Sequence, residues 1–208
     1  MAERRIAELW RLFGDRDPAV RLVGPNLLLR PPARRDEAQW IEIRQRSRAF
    51  LEPWEPTWPA DATTPAAFRR RLKRFAAEWR AGATYAFFIF DKDDGTLLGG
   101  VTLSNVRRGV AQCGSVGYWI GEPHARRGHM SEALQILLNF AFDALGLHRV
   151  EAACLPSNLP SRTLLAKNGF VQEGLARRYL RINGMWQDHV CFAVLRTDSR
   201  SGAPMSGG

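Results

Sequence analysis

The stretch Val116 to Leu145, VGYWIGEPHARRGHMSEALQILLNFAFDAL, limits the fold more than any other. Its apolar, aromatic start, Val116 to Ile120, predicts a strand. Gly121 to Gly128 is a short loop holding Pro123, His124, Arg126 and Arg127. Leu134, Leu137, Leu138, Ala141, Phe142 and Leu145 then recur at helical spacing. A strand entering a helix through a tight basic loop forms an anion site. The first N–H groups of a helix have no internal partner, and the macrodipole adds positive charge there. Gly128 allows close backbone approach, and Arg126 and Arg127 add charge. An ordinary connection with a solvated basic loop satisfies the same pattern.

The chain before this unit reads in order. Glu3 to Phe13 has the spacing of a short amphipathic helix and stands apart as an extension, residues 1–22. Leu27 to Leu29 predict a strand, and Asp36 is placed to cap a helix running to about Ser47. Phe50 to Pro59, FLEPWEPTWP, carries three prolines and two tryptophans, which forbid a long regular element. It is either an aromatic wall or a loop packed on the core. Thr64 and Pro65 open a helix in the Ncap and N1 roles, with Phe68, Leu72, Phe75 and Trp79 on one face. A meander follows over Thr84–Phe90, Thr96–Leu103 and Cys113–Ile120.

After the unit, His148 to Cys154 is β-rich and follows a helix, so it is expected parallel to the preceding strand. The two should part, because ligands sit beyond the carboxyl ends of parallel strands. Asn158 and Ser161 precede a predicted helix over about Thr163 to Asn168. Phe170-Val171 begins a short strand, and Asn183-Gly184 signals a hairpin between Tyr179–Ile182 and Trp186–Leu195. Residues 197–208 are small and polar and read as a disordered tail. The domain proper is thus 23–196, of α+β or mixed α/β class.

The 208 residues carry a net charge of +9, nearly all of the positive charge being arginine. That suits a phosphorylated cofactor, a ribonucleoprotein or nucleic acid, and equally a merely arginine-rich surface. No apolar run approaches a membrane span, and no signal-peptide core opens the chain. Cys113, Cys154 and Cys191 lie far apart, and the four histidines complete no metal-ligand spacing. We expect a reduced, cytoplasmic protein with no metal and no membrane contact, monomeric or dimeric.

Together these residues resemble the GNAT acyltransferases. Ala125-Arg126-Arg127-Gly128-His129-Met130 corresponds to that family's Q/R-x-x-G-x-G/A loop, with Ala125 and Met130 departing from it. NLPSRTLLAKNGF, Asn158 to Phe170, is similar to its coenzyme-side helix. FLEPWEP, LSNVRRG and YLRINGMWQDHV resemble the RimJ-type ribosomal-protein alanine N-acetyltransferases. The resemblance spans about Leu27 to Leu195. It implies a GNAT fold: a mostly antiparallel sheet with one splayed parallel pair, flanked by helices. It also implies acetyl-coenzyme A as co-substrate and a protein N-terminus, that of a ribosomal protein, as acceptor, with the basic surface available to a ribosome or rRNA. The N–H groups of Arg126, Arg127, Gly128, His129, Met130 and Ser131 would hold pyrophosphate. The pantetheine arm would run along Trp119 and Ile120, Asn158 would contact the coenzyme, and Ser161 would protonate the leaving thiolate. Trp54, Glu55 and Tyr179 would line an acceptor slot. Glu55, Tyr179 and Asp188 are the candidates for activating the amine. Two other readings stay open: a GNAT for small-molecule amines or lysine, and a basic ribosome- or RNA-binding module without chemistry.

Overall fold

A computed structural model describes residues 20–198. The Glu3–Phe13 helix and almost all of the tail expected from Thr197 lie outside them. Among the described residues, eight strands form one open sheet in the order β1-β2-β3-β4-β5-β6-β8-β7. The strands are β1 Leu22–Val23, β2 Leu27–Arg30, β3 Tyr85–Asp91, β4 Leu97–Arg107, β5 Cys113–Ile120, β6 Arg149–Cys154, β7 Val171–Ile182 and β8 Met185–Leu195. The helices are α1 Glu37–Arg46, α2 Arg48–Leu51, α3 Pro65–Arg80, α4 His129–Asn139 and α5 Leu159–Lys167. α4 runs on as a π-turn, Phe140–Ala144. β1 already begins at Leu22, so the sheet takes in the last residue assigned to the extension.

Strand alternation divides the core in two. On one face Phe87, Val101 and Val150 pack with Leu134, Leu137 and Leu138 of α4. On the other, Phe88 and Phe90 meet Trp40 and Ile43 of α1 and Phe68 of α3. Each fully buried leucine of α4 contributes about 2 kcal/mol of apolar burial. Thr64 caps α3 through its hydroxyl, which accepts from Ala67 N at 3.2 Å. Glu132 fastens α4 to β2 by accepting from Asn26 N at 2.8 Å and Leu27 N at 3.0 Å.

β5 and β6 are parallel, as the strand-helix-strand order requires. They pair only at Cys113↔Arg149, Gly114↔Val150 and Ser115↔Glu151. Beyond those registers β5 stays with β4 and β6 stays with β8. The sheet therefore splits toward the carboxyl ends of its one parallel pair.

Three local expectations change. Asp36 does not cap α1 through its side chain; it closes a short 3-10 turn, Arg34–Asp36. Its carboxylate accepts from Ala33 N at 2.8 Å and pairs with Arg30 at 2.6 Å, which suits a buried charge better than a cap. α5 starts four residues early, at Leu159, because Asn158 is the cap and Pro160 fits the first turn. The two short strands expected around Phe170 and Tyr179 are one strand, β7, with a bulge between Ala176 and Leu180. Asn183 and Gly184 do turn the final hairpin, with φ of 43° and 81°.

Candidate active site

The loop leaving β5 makes a 3-10 turn, Glu122–His124, and enters α4 through Gly128. Gly128 has φ +85°, and a Cβ there would touch no protein atom within 4 Å. The glycine thus serves the left-handed turn and leaves an open cradle over the helix start. Among the described residues, the N–H groups of residues 126–130 meet no internal acceptor, whereas Ser131 N donates to Gly128 O at 3.0 Å. The anion donors therefore stop at Met130, and Ser131 turns its hydroxyl to Asn168 Nδ2, 3.0 Å away. Met130 is buried in the core and gives only its backbone to the loop, which is why a large side chain is tolerated there. Arg126 and Arg127 are exposed. Burial, then Arg127, His129 and Arg46, hold His124 below the usual imidazole range, so the positive charge comes from the arginines.

At the split, Tyr118 Oη and Ser161 Oγ lie 2.6 Å apart. Tyr118 comes from β5 and Ser161 from the first turn of α5, so this contact bridges the two sides of the gap. Burial pushes the Tyr118 phenol well above its ordinary range, and it stays protonated. The cap of α5 belongs to Asn158, whose Oδ1 accepts from Ser161 N at 3.1 Å, so the Ser161 hydroxyl is not the cap. Cys154 is also buried here, and burial pushes its thiol up to about 11. A thiol that stays protonated is a poor nucleophile.

The opposite face carries the acceptor candidates. Trp119 lies on the α1 side of β5, its indole nitrogen so close to Gly100 that a Cβ would fall 2.6 Å from it. The Arg44 guanidinium sits 4.0 Å from the Trp58 ring and 5.0 Å from the Trp119 ring. It grips both Glu55 oxygens, at 2.8 and 2.6 Å. Trp58 Nε1 adds a third bond to Glu55 at 2.8 Å. Asn183 N donates to Glu55 O at 3.0 Å, so the Phe50–Pro59 segment meets the tip of the last hairpin. Trp54 is exposed on this wall.

Asp188 accepts from Arg178 N at 2.8 Å, clamping the β7 bulge, where Arg178 has φ 45°. Its partner is the arginine's backbone, not its guanidinium. Tyr179, half exposed, sets its ring edge-on to the His189 imidazole at 5.9 Å. The fold thus gathers Trp119, Ser161, Asn158 and the loop at the split, and ties Glu55 and Asp188 into structural pairs. Tyr118, Arg44, Trp58 and His189 were missed in the sequence. Only Tyr118 had a local signal, since it alternates with Val116 on the inner face of β5.

The fold thus combines a split parallel pair, a hydroxyl contact across the split and an open helix start beyond β5. Residues 26–171 match the acetyltransferase (GNAT) domain, and the chain belongs to that family. The ribosomal protein uS5-alanine N-acetyltransferase of Escherichia coli (strain K12) is 34% identical over 189 residues, 90% of this chain and 97% of its own. Mycobacterium smegmatis RimJ, solved in complex with CoA-disulfide, has a TM-score of 0.78 at 36% identity over 82% of each chain. The ribosomal-protein-S5-alanine acetyltransferase of Vibrio fischeri has a TM-score of 0.79 at 31% identity, over 86% of this chain and 97% of its own. The protein is an acyltransferase with the GNAT fold.

Proposed function

We propose that the protein acetylates the α-amine of a protein N-terminus, using acetyl-coenzyme A, and that its acceptor is a cytoplasmic ribosomal protein beginning with alanine or serine. The observation that carries this reading is the closure of the wall on the hairpin, Asn183 N to Glu55 O at 3.0 Å, across the split from the open helix start. A gap roofed in this way suits a threaded chain end better than a lysine on a folded surface. The names of the relatives point the same way.

Acetyl-coenzyme A supplies the activated acyl thioester. The free N–H groups of residues 126–130, with Arg126 and Arg127, fit its pyrophosphate, and the Gly128 cradle admits close approach. The edge of β5 at Trp119 and Ile120, left unpaired by β6, can bind an extended arm as an added strand. The Tyr118–Ser161 pair holds a proton where a departing sulfur needs one. Cys154, its thiol pushed up by burial, is a poor nucleophile, and the reading needs only direct attack by the amine. An α-amine, with a pKa of about 8 against about 10.4 for lysine, needs less activation.

The test is kcat/KM across peptides that start with Ala, Ser or Leu, or that carry only an internal lysine. Ala and Ser peptides should be fastest. Equal rates for blocked, lysine-bearing peptides and free N-termini would overturn the reading, and faster turnover of free small amines would replace it.

A further inference from the structure

One buried titratable side chain has no part in the chemistry above. His189 is only 2% exposed. It lies in β8 one residue beyond Val190, the partner of Cys154 at the end of β6. Counted along the parallel pair from Ser115↔Glu151, Tyr118 stands level with Cys154, and Trp119 stands level with the next residue, as His189 does. Alternation turns His189 away from Val190 and Cys154, and so toward the face of the wall. By this count the histidine and Tyr118 differ by one register step and lie on opposite faces of the sheet.

His189 Nδ1 lies 3.0 Å from Gln187 O. A carbonyl can only accept, so Nδ1 carries the hydrogen and Nε2 keeps the lone pair of the neutral ring. Among the described residues Nε2 meets no hydrogen-bond partner. Tyr179 holds the ring edge-on at 5.9 Å. Both Glu55 oxygens answer Arg44, and one Asp188 oxygen answers Arg178 N.

We infer that His189 is the general base that deprotonates the acceptor amine, an assignment that rests on the N-terminal acetylation proposed above. Nε2 takes a proton from the α-ammonium, directly or through one water, and passes it to solvent. The freed nitrogen lone pair forms the bond to the acetyl carbon as the carbon–sulfur bond breaks. Nitrogen sheds a second proton by the same route, and the Tyr118–Ser161 pair gives one to sulfur and regains it from solvent. One ammonium and one thioester yield one amide, one thiol and one proton.

The experiment compares wild type, His189→Gln and His189→Ala on whichever amine the wild type turns over best in the peptide and small-amine panel. His189→Gln should lower kcat about 100-fold, with coenzyme affinity by calorimetry and acceptor KM changed less than about threefold. Added imidazole should restore His189→Ala at least about tenfold, which a packing role would not allow. Should His189→Ala fail to fold, the split between kcat and KM in His189→Gln decides alone. A folded His189→Gln with normal kcat, or a loss that follows coenzyme affinity, overturns the assignment. A wild type that prefers lysine or a small amine defeats the acceptor reading only, since the kcat ratio on that amine still tests His189.

Discussion

Single side chains at the split separate stability from chemistry. Asn158 holds the N-terminus of α5, so Asn158→Ala should cost about 1 kcal/mol of stability. Ser161 caps nothing through its side chain, so Ser161→Ala should cost only the Tyr118 bond, about 1 kcal/mol of stability, and lower kcat by about one to three powers of ten. Tyr118→Phe should lower kcat in the same direction, because it removes the other half of the hydroxyl pair. Thermal melts beside steady-state rates check all three, and a normal kcat in a folded Ser161→Ala would remove Ser161 from the proton path. At Gly128 a Cβ meets no protein atom within 4 Å, so folding should bear mainly the left-handed φ, about 1–2 kcal/mol. Coenzyme A binding by Gly128→Val should nevertheless disappear in calorimetric titration. The Cys154 thiol, raised to about 11 from 9.0, contributes stability that is complete below pH 9. That contribution is lost as pH climbs toward 11, because the unfolded thiol ionises first. Iodoacetamide at pH 8 should accordingly modify half-buried Cys191 before Cys154, as read by mass spectrometry.

Among the elements, a single ion pair ties the Phe50–Pro59 wall to α1, and a backbone bond, Asn183 N to Glu55 O, ties it to the last hairpin. Arg44 reaches from α1 to Glu55 and lies against Trp58 and Trp119, so it joins the acceptor wall to β5. The Arg44 side chain is 8% exposed, and removing one partner of such a pair leaves a buried charge. Arg44→Met should cost about 3 kcal/mol and raise the acceptor KM, while coenzyme affinity holds. Glu55→Gln should do the same more weakly, and a double-mutant cycle on melting temperature should show strong coupling. Additive effects would mean that the wall is held by packing alone. The helices and the NG turn were legible because caps, prolines and periodicity act within a few residues. The length of β7 was not, because its bulge is held by Asp188, ten residues away on β8.

At the scale of the molecule, the chain carries a surplus of nine positive charges. Such a field raises encounter rates with an acidic particle and fades with salt. If the basic surface guides the enzyme to ribosomal particles, kcat/KM on intact particles should fall steeply between low and physiological salt, while that on a short neutral peptide stays flat. Equal salt dependence would confine recognition to the slot. The alternation of strands, the parallel pair, the glycine-gated loop and the Asn158 cap all follow from neighbours in sequence. So the sequence by itself determined the architecture and the place of the split. Tertiary structure alone decided which side chains are free to act there. Ser161 meets Tyr118 across 43 positions, and Arg44 of α1 occupies Glu55. A hydrogen bond or ion pair depends on distances of a few tenths of an ångström between separate elements, and no local propensity encodes those distances.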